Sequence, residues 1–360
     1  MPHRIVAALV VAVLAVSIIA VGRASGAGRV VDAGRVVSID PRPDGAYDVR
    51  FRSTGTDGDA VTQTAVLWLP EGPRSGDVVA WGHPTAGLAD HCAPSIIGNV
   101  EPPGLAELLA AGTTVIAPDY EGYGGRGVHP YLVGRSEGRS MLDALRAARS
   151  VSGGTGRSAA YGWSQGGHAA IFAARMAPTY APDVRLAGVA AIAPVTDPSS
   201  LVQGPSMLAN QPGVVAMVTA GYVASYPDLD AADLLSEPKR QLRAARNTCD
   251  AAGQLADTTT WYPTAAWREK FADNDVATGG RLRVPLLIAQ SEIDGITPAE
   301  ETVRSYRRLC ARGSAVQLEH WDESTHFSVV EESAARLVSW LGGRLAGDAT
   351  VRGCEQRTVS

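Results

Sequence analysis

Short apolar runs alternate with amphipathic stretches along most of the chain. Tyr47 to Arg52 and Thr62 to Leu69 alternate apolar and polar residues, the pattern of antiparallel strands at the start of a sheet. Val78 to Trp81, Thr114 to Pro118, Ser158 to Tyr161, Leu186 to Ala193 and Val284 to Gln290 read as buried strands, with Val316 to Glu319 as the last strand. Between them, Pro103 to Ala111, Arg139 to Ser150, Gly167 to Met176 and Val329 to Leu345 read as helices. In the second of these, Met141, Leu142, Leu145 and Ala148 share one side. Strands alternating with helices predict an α/β fold: a mostly parallel sheet covered by helices on both faces.

One stretch breaks this rhythm. Roughly 85 residues separate the strand ending near Pro194 from the one starting near Leu282, far more than a crossover needs. Helical patches fall at Gly213 to Ser225, Ala231 to Leu242 and Thr264 to Phe271. The expected organisation is a core over residues 28–198, a helical cap over 199–281 inserted above the sheet's carboxyl edge, and the rest of the core over 282–360. Surface decoration is the alternative for the inserted part.

Composition changes this picture little. With 45% hydrophobic and 19% charged residues the chain reads as a globular protein, and a net charge of −5 gives no basic footprint for nucleic acid. The N-terminus adds more. His3 and Arg4 precede an apolar run from Ile5 to Val21, followed by the small residues Ala24 to Ala27. That order predicts a secretory signal peptide over residues 1–27, with an uncleaved membrane anchor as the alternative. Cys92, Cys249, Cys310 and Cys354 make an even count, which in an exported chain predicts two disulfides out of three possible connectivities. Their spacings resemble no zinc site, and no metal is expected.

The chemistry centres on Gly162-Trp163-Ser164-Gln165-Gly166, set between a strand and an alanine-rich helix. A serine on a strand-to-helix turn flanked by glycines is the nucleophile elbow of an α/β-hydrolase, and the helix N-terminus behind it favours developing negative charge. In such folds an acid and then a histidine follow the serine along the chain. His326 lies between the last expected strand and the final helix, where a loop delivers imidazole to the elbow; it is the expected general base. His168 reads as a helix residue packing on the sheet, and His320 as a strand end. Asp294 ends the preceding strand region and is the expected acid, with Glu292 its competitor and Asp322 a solvated loop charge. The oxyanion hole requires two backbone N–H groups. Gln165 supplies one. Gly82-His83-Pro84-Thr85-Ala86-Gly87 supplies the other; since Pro84 has no N–H, Thr85 is the first choice and Ala86 the next, while His83 orders the loop.

These motifs resemble a known family. Gly82 to Gly87 followed by Cys92-Ala93-Pro94-Ser95 resembles the oxyanion loop and Cys-Ala-Pro-Ser run of secretory lipases, which include fungal lipases related to lipase A and actinobacterial relatives. Ala117-Pro118-Asp119-Tyr120-Glu121-Gly122-Tyr123-Gly124, Leu142 to Ala147 and the elbow, Asp294 and His326 fall in family order, so the likeness spans roughly residues 80–345. The resemblance implies an α/β-hydrolase core, a helical lid and esterase or triacylglycerol lipase activity. It also implies pairing of Cys92 with Cys249 and of Cys310 with Cys354. Pro84 departs from the family, where many members have glycine.

The expectation is an exported serine ester hydrolase acting on a small-molecule ester or lipid, without a cofactor. The cap's apolar residues, Met207 and Met217 among them, are candidates to line an acyl site and to meet a lipid surface. An acyltransferase or peptidase on the same machinery, or a binding protein on a hydrolase scaffold, is the alternative. Acyl-chain length and oligomeric state are not legible.

Overall fold

The computed structural model describes residues 32–98, 101–125, 127–209, 211–249, 263–348 and 352–359. The segment expected to be a signal peptide, 1–27, lies outside the described residues.

Among the described residues, ten strands form one sheet in the order β1-β2-β3-β5-β4-β6-β7-β8-β9-β10. The strands β1 (Val36–Pro41), β2 (Tyr47–Thr54) and β3 (Ala60–Trp68) make an antiparallel meander, and β3 pairs antiparallel with β5 (Thr114–Pro118). From there every pairing is parallel, through β4 (Val78–Gly82), β6 (Ser158–Trp163), β7 (Leu186–Ile192), β8 (Leu286–Ser291), β9 (Val316–Trp321) and β10 (Cys354–Val359).

The helices are α1 (Pro94–Ile97), α2 (Leu105–Ala110), α3 (Gly134–Ser152), α4 (Gln165–Tyr180), α5 (Pro212–Ser225), α6 (Pro238–Ala245), α7 (Ala265–Asp273), α8 (Ala299–Ala311) and α9 (Ser328–Ala346). The central strands read as unbroken apolar runs because both faces are covered. Alternate residues go to opposite layers. Ala80, Ile116, Ala160 and Ile288 join the core under α3, α4 and α8, whereas Val79, Val115, Tyr161 and Leu287 join the core under α2 and α9. A third cluster packs α5, Trp267 and Phe271 of α7, and Leu234 against Leu88 and Tyr131 to Val133.

Besides β1 and α1, which the patterning did not single out, three elements differ from the sequence expectation. The last strand is β10, not β9. Its polar sequence hides it, but Cys354 is bonded to Cys310 at the end of α8 (S–S 1.99 Å) and Arg357 reaches the buried carboxylate of Glu319 on β9. Arg336 of α9 meets the same carboxylate at 2.8 Å, so one acid holds the tail and the closing helix. The patch expected over Ala231 to Leu242 divides into a 3-10 turn at Ala231–Asp233 and α6, because Pro238, which has no N–H to give to a preceding turn, favours the first position of a helix. Finally, α3 begins at Gly134, ahead of the expected Arg139. Its glycines let it close on α4, for a Cβ on Gly134 would overlap the Phe172 ring and one on Gly138 would lie 2.9 Å from Met176 Sδ.

Cys92 and Cys249 form the other disulfide (S–S 2.04 Å), tying the segment after α6 to the turn after β4. Both pairings are those the resemblance implied. His91 stands beside the first, but both sulfurs are oxidised and offer no thiolate to a metal. Among the described residues no helix is long and apolar enough to cross a membrane.

Candidate functional site

Ser164 sits where β6 turns into α4, with φ 56° and ψ −113°, a region that non-glycine residues occupy only under strain. The turn is tight enough to require its glycines. A Cβ on Gly162 would overlap the Gly166 carbonyl oxygen, and a Cβ on Gly166 would overlap that of Gly82. Strand β4, strand β6 and helix α4 therefore meet backbone to backbone. The Ser164 N–H donates to Ile192 O at 2.9 Å, and its carbonyl accepts from His168 and Val195 N–H, both at 3.2 Å. As the first residue of α4, Gln165 has an N–H with no partner inside the helix, at its positive end.

Asp294 follows β8 and His326 follows β9. His326 Nδ1 lies 2.7 Å from Asp294 Oδ2. The other donors to the carboxylate come mainly from the turn that follows it: Ile296 and Thr297 N–H donate to Oδ1, each at 2.8 Å, and Thr297 Oγ1 donates to Oδ2 at 2.8 Å, with Gln290 Nε2 of β8 at 3.4 Å from Oδ2. Burial pushes the Asp294 carboxyl up, but the bond and charge of His326 and the Thr297 donors outweigh it and hold it below the usual carboxylate range. It is ionised at neutral pH. His326 is joined to the elbow through Trp163, whose Nε1–H donates to His326 O at 3.1 Å and whose ring lies 5.5 Å from the imidazole. With Nδ1 committed to Asp294, Nε2 has no hydrogen bond among the described residues. The competitors stand apart. Glu292 bonds to His320 Nδ1, whose Nε2 meets Gln356 Oε1 at 3.0 Å, and Asp322 is exposed.

Across the elbow, the loop after β4 is held from beneath. His83 Nδ1 bonds to Pro84 O at 2.6 Å, Tyr120 O–H donates to His83 O at 3.2 Å, and Tyr123 O–H donates to Gly87 O. Burial, against its bonds to the Pro84 and Asp119 carbonyls, pushes His83 down to about 4, so it stays neutral and orders the loop, as expected. Thr85 is exposed and its Oγ1 lies 2.8 Å from Tyr131 O–H. The Cys-Ala-Pro-Ser run has a structural reason as well: Ser95 N–H and Oγ donate to the buried Asp119 at 3.0 and 2.5 Å.

Sequence reasoning missed Thr297 and Glu137. Thr297 was legible in part, since an aspartate capping its own following turn commonly bonds backbone N–H two and three residues on. Glu137 was hidden in the glycine-interrupted start of α3. His168 does not pack on the sheet. It faces α3, with Nδ1 2.6 Å from Glu137 Oε2 and Nε2 2.8 Å from Asn274 O, because one helical turn past Ser164 lies the α3 side of α4. The two methionines also separate. Met207 is exposed and its N–H donates to Gly295 O at 2.7 Å, beside Asp294, whereas Met217 is buried in the α5 cluster.

A mostly parallel sheet with a strained serine turn between strand and helix, and an aspartate and histidine paired after later strands, defines an α/β-hydrolase. The description of a secretory lipase matches residues 95–353, and the chain belongs to that family. Lipase A of Arthroderma benhamiae is 26% identical over 349 residues, covering 87% of this chain and 73% of that protein. The secreted triacylglycerol lipase LIP4 of Malassezia globosa is 24% identical, covering 86% of this chain and 75% of its own length. Lipase 10 of Candida albicans is 26% identical, and the match takes in 71% of this chain and 60% of that lipase. Among solved structures, Candida antarctica lipase A superposes with a TM-score of 0.77 at 19% identity, over 89% of this chain and 83% of its own. The rice cell wall degrading esterase LipA from Xanthomonas oryzae does so with 0.68 at 19% identity, over 87% and 97%.

Proposed function

We propose that this chain hydrolyses carboxylic esters by acyl transfer through Ser164. The observation that carries the reading is the strained elbow serine joined through Trp163 to an imidazole whose far nitrogen is fixed by Asp294. Ser164 Oγ attacks the ester carbonyl while His326 Nε2 takes its proton. Asp294 holds the ring in the tautomer that leaves Nε2 free and balances the imidazolium. The N–H groups of Gln165 and Thr85 receive the oxyanion, and the α4 N-terminus adds to their field. His326 then protonates the leaving alcohol, and a water activated by the same histidine releases the acid.

The family and the relatives named lipases support a lipid or other acyl ester as substrate. Residues 199–281 act as the cap over the acyl site, with Met207 at its rim. The buried position of Met217 favours a packing role for that residue. Two disulfides and the secretory family support export, with residues 1–27 as the signal. Ser164→Ala tests the reading. Turnover of a soluble butyrate ester falls on the order of 10⁴-fold or more, with the circular dichroism spectrum unchanged. A folded variant that keeps a tenth of the activity contradicts it.

A further inference from the structure

Glu137, in the first turn of α3, is a carboxylate with no solvent exposure. A charge is tolerated at such a place only when its oxygens are met by donors. Oε1 accepts from Leu132 N–H at 3.0 Å and from Gln165 Nε2 at 2.8 Å, and Oε2 faces His168 Nδ1 at 2.6 Å. The second amide hydrogen of Gln165 goes to His129 Nε2 at 2.7 Å, while His129 Nδ1 bonds to Glu121 O at 2.8 Å. Gln165 Oε1 is buried with no hydrogen-bond partner among the described residues. The amide is therefore gripped only by its donors, and its orientation comes from Glu137 and His129.

The same carboxylate reaches the other side of the elbow. Leu132 follows Tyr131, whose hydroxyl lies 2.8 Å from Thr85 Oγ1. The His129 ring stacks on Tyr120 and Tyr123, and those two hydroxyls hold the carbonyls of His83 and Gly87. Lines of contact thus run from beneath α4 to both residues assigned as oxyanion donors.

We propose that Glu137 is the positioning residue of the oxyanion hole, fixing Gln165 directly and the Thr85 loop through Leu132 and Tyr131. This rests on the hydrolase reading above. Hydrogen bonds to an ionised acceptor are about twice as strong as neutral ones, which suits a tie that must hold a backbone donor against the pull of a changing substrate. A donor displaced from the oxyanion loses part of a contribution that is worth about 10²- to 10³-fold when removed outright.

The test uses the full chain as wild type, Glu137→Gln, Gln165→Met and the double variant. Gln165→Met keeps the backbone N–H and the side-chain volume but ends the tie. Two quantities are read: kcat and KM on a soluble butyrate ester, and inhibition by an alkylboronic acid. The serine oxygen adds to boron and its proton passes to His326, leaving a tetrahedral anion in the place of the intermediate. Each single variant loses about fivefold or more in kcat with KM held within about twofold. Boronate affinity falls by the same factor as kcat/KM, and the double variant is no worse than the poorer single. A merely structural role would leave boronate affinity and kcat/KM uncoupled. A folded Gln165→Met with a smaller loss in kcat, or with boronate affinity unchanged, overturns the proposal, and it decides alone if Glu137→Gln does not fold. A wild type inert toward the ester overturns the hydrolase reading instead, and this inference with it.

Discussion

At the scale of single residues, the elbow is the most constrained point of the molecule. Ser164 holds a left-handed φ, and Gly162 and Gly166 hold positions that no side chain fits. The obstacle at Gly166 is backbone, which cannot swing aside as a flexible side chain can. Gly166→Ala therefore strains β4 against α4. Overpacking in a well-packed site costs about 1–3 kcal/mol and occasionally more, and the upper end is expected here. The urea midpoint drops and ester turnover is lost together. A variant with wild-type stability and turnover would show that the elbow is looser than its geometry indicates.

The residues of the site were legible to unequal degrees. Ser164, Asp294 and His326 could be read because each ends a strand pattern in the order this fold uses. Thr297 was legible only as part of the turn that Asp294 caps, and Glu137 and His129 could not be singled out, since their contacts depend on how α3 and the segment before it meet α4. A buried glutamate in a Gly-Arg-Ser-Glu-Gly stretch looks like an exposed polar turn until α3 closes on α4.

Among the elements, buried strands were legible from their apolar runs, and β10 was not. A strand at a sheet edge needs apolar residues on one side only, and this one takes its place from a disulfide and from the Arg357 contact to Glu319. The Cys310–Cys354 bridge spans a sequence separation of 44. Closing a loop of that length stabilises by roughly 4 kcal/mol on the chain-entropy estimate, and often less in practice. Since three strands lie between β6 and β10 in the sheet order, the bridge is remote from the elbow. The variant Cys310→Ser/Cys354→Ser is expected to unfold at lower urea while kcat stays within about twofold of wild type. An unchanged urea midpoint, or a large loss of kcat in the folded variant, would contradict this division between edge and site.

For the whole molecule, the buried histidines set an acid response. Burial, against its backbone bonds, pushes His83 down to about 4; burial, against the Glu137 charge and its bond to the Glu121 carbonyl, pushes His129 down to about 4 as well. An unfolded histidine takes up its proton near 6.5. Between those values the unfolded chain binds more protons, so stability is full above about pH 6.5 and falls as pH drops toward 4. Each histidine contributes up to about 1.4 kcal/mol per pH unit over that window. Buried Asp119 and Glu121, raised by burial, act in the opposite sense when they protonate. The histidine share is therefore read as a difference. From pH 7 to pH 5, urea unfolding of the wild type loses more stability than that of His129→Asn, and equal losses would contradict a neutral buried His129.

The central claim is that Ser164 is the nucleophile of an ester hydrolase. Its most direct test is reaction of the folded protein with an alkyl fluorophosphonate, followed by peptide mapping. The serine oxygen displaces fluoride at phosphorus, so the adduct marks the activated hydroxyl itself. The account predicts one adduct per chain, on the peptide carrying Ser164, formed in parallel with loss of ester hydrolysis and absent from Ser164→Ala. An adduct at another serine, or full hydrolysis by a protein whose Ser164 is completely blocked, would contradict it.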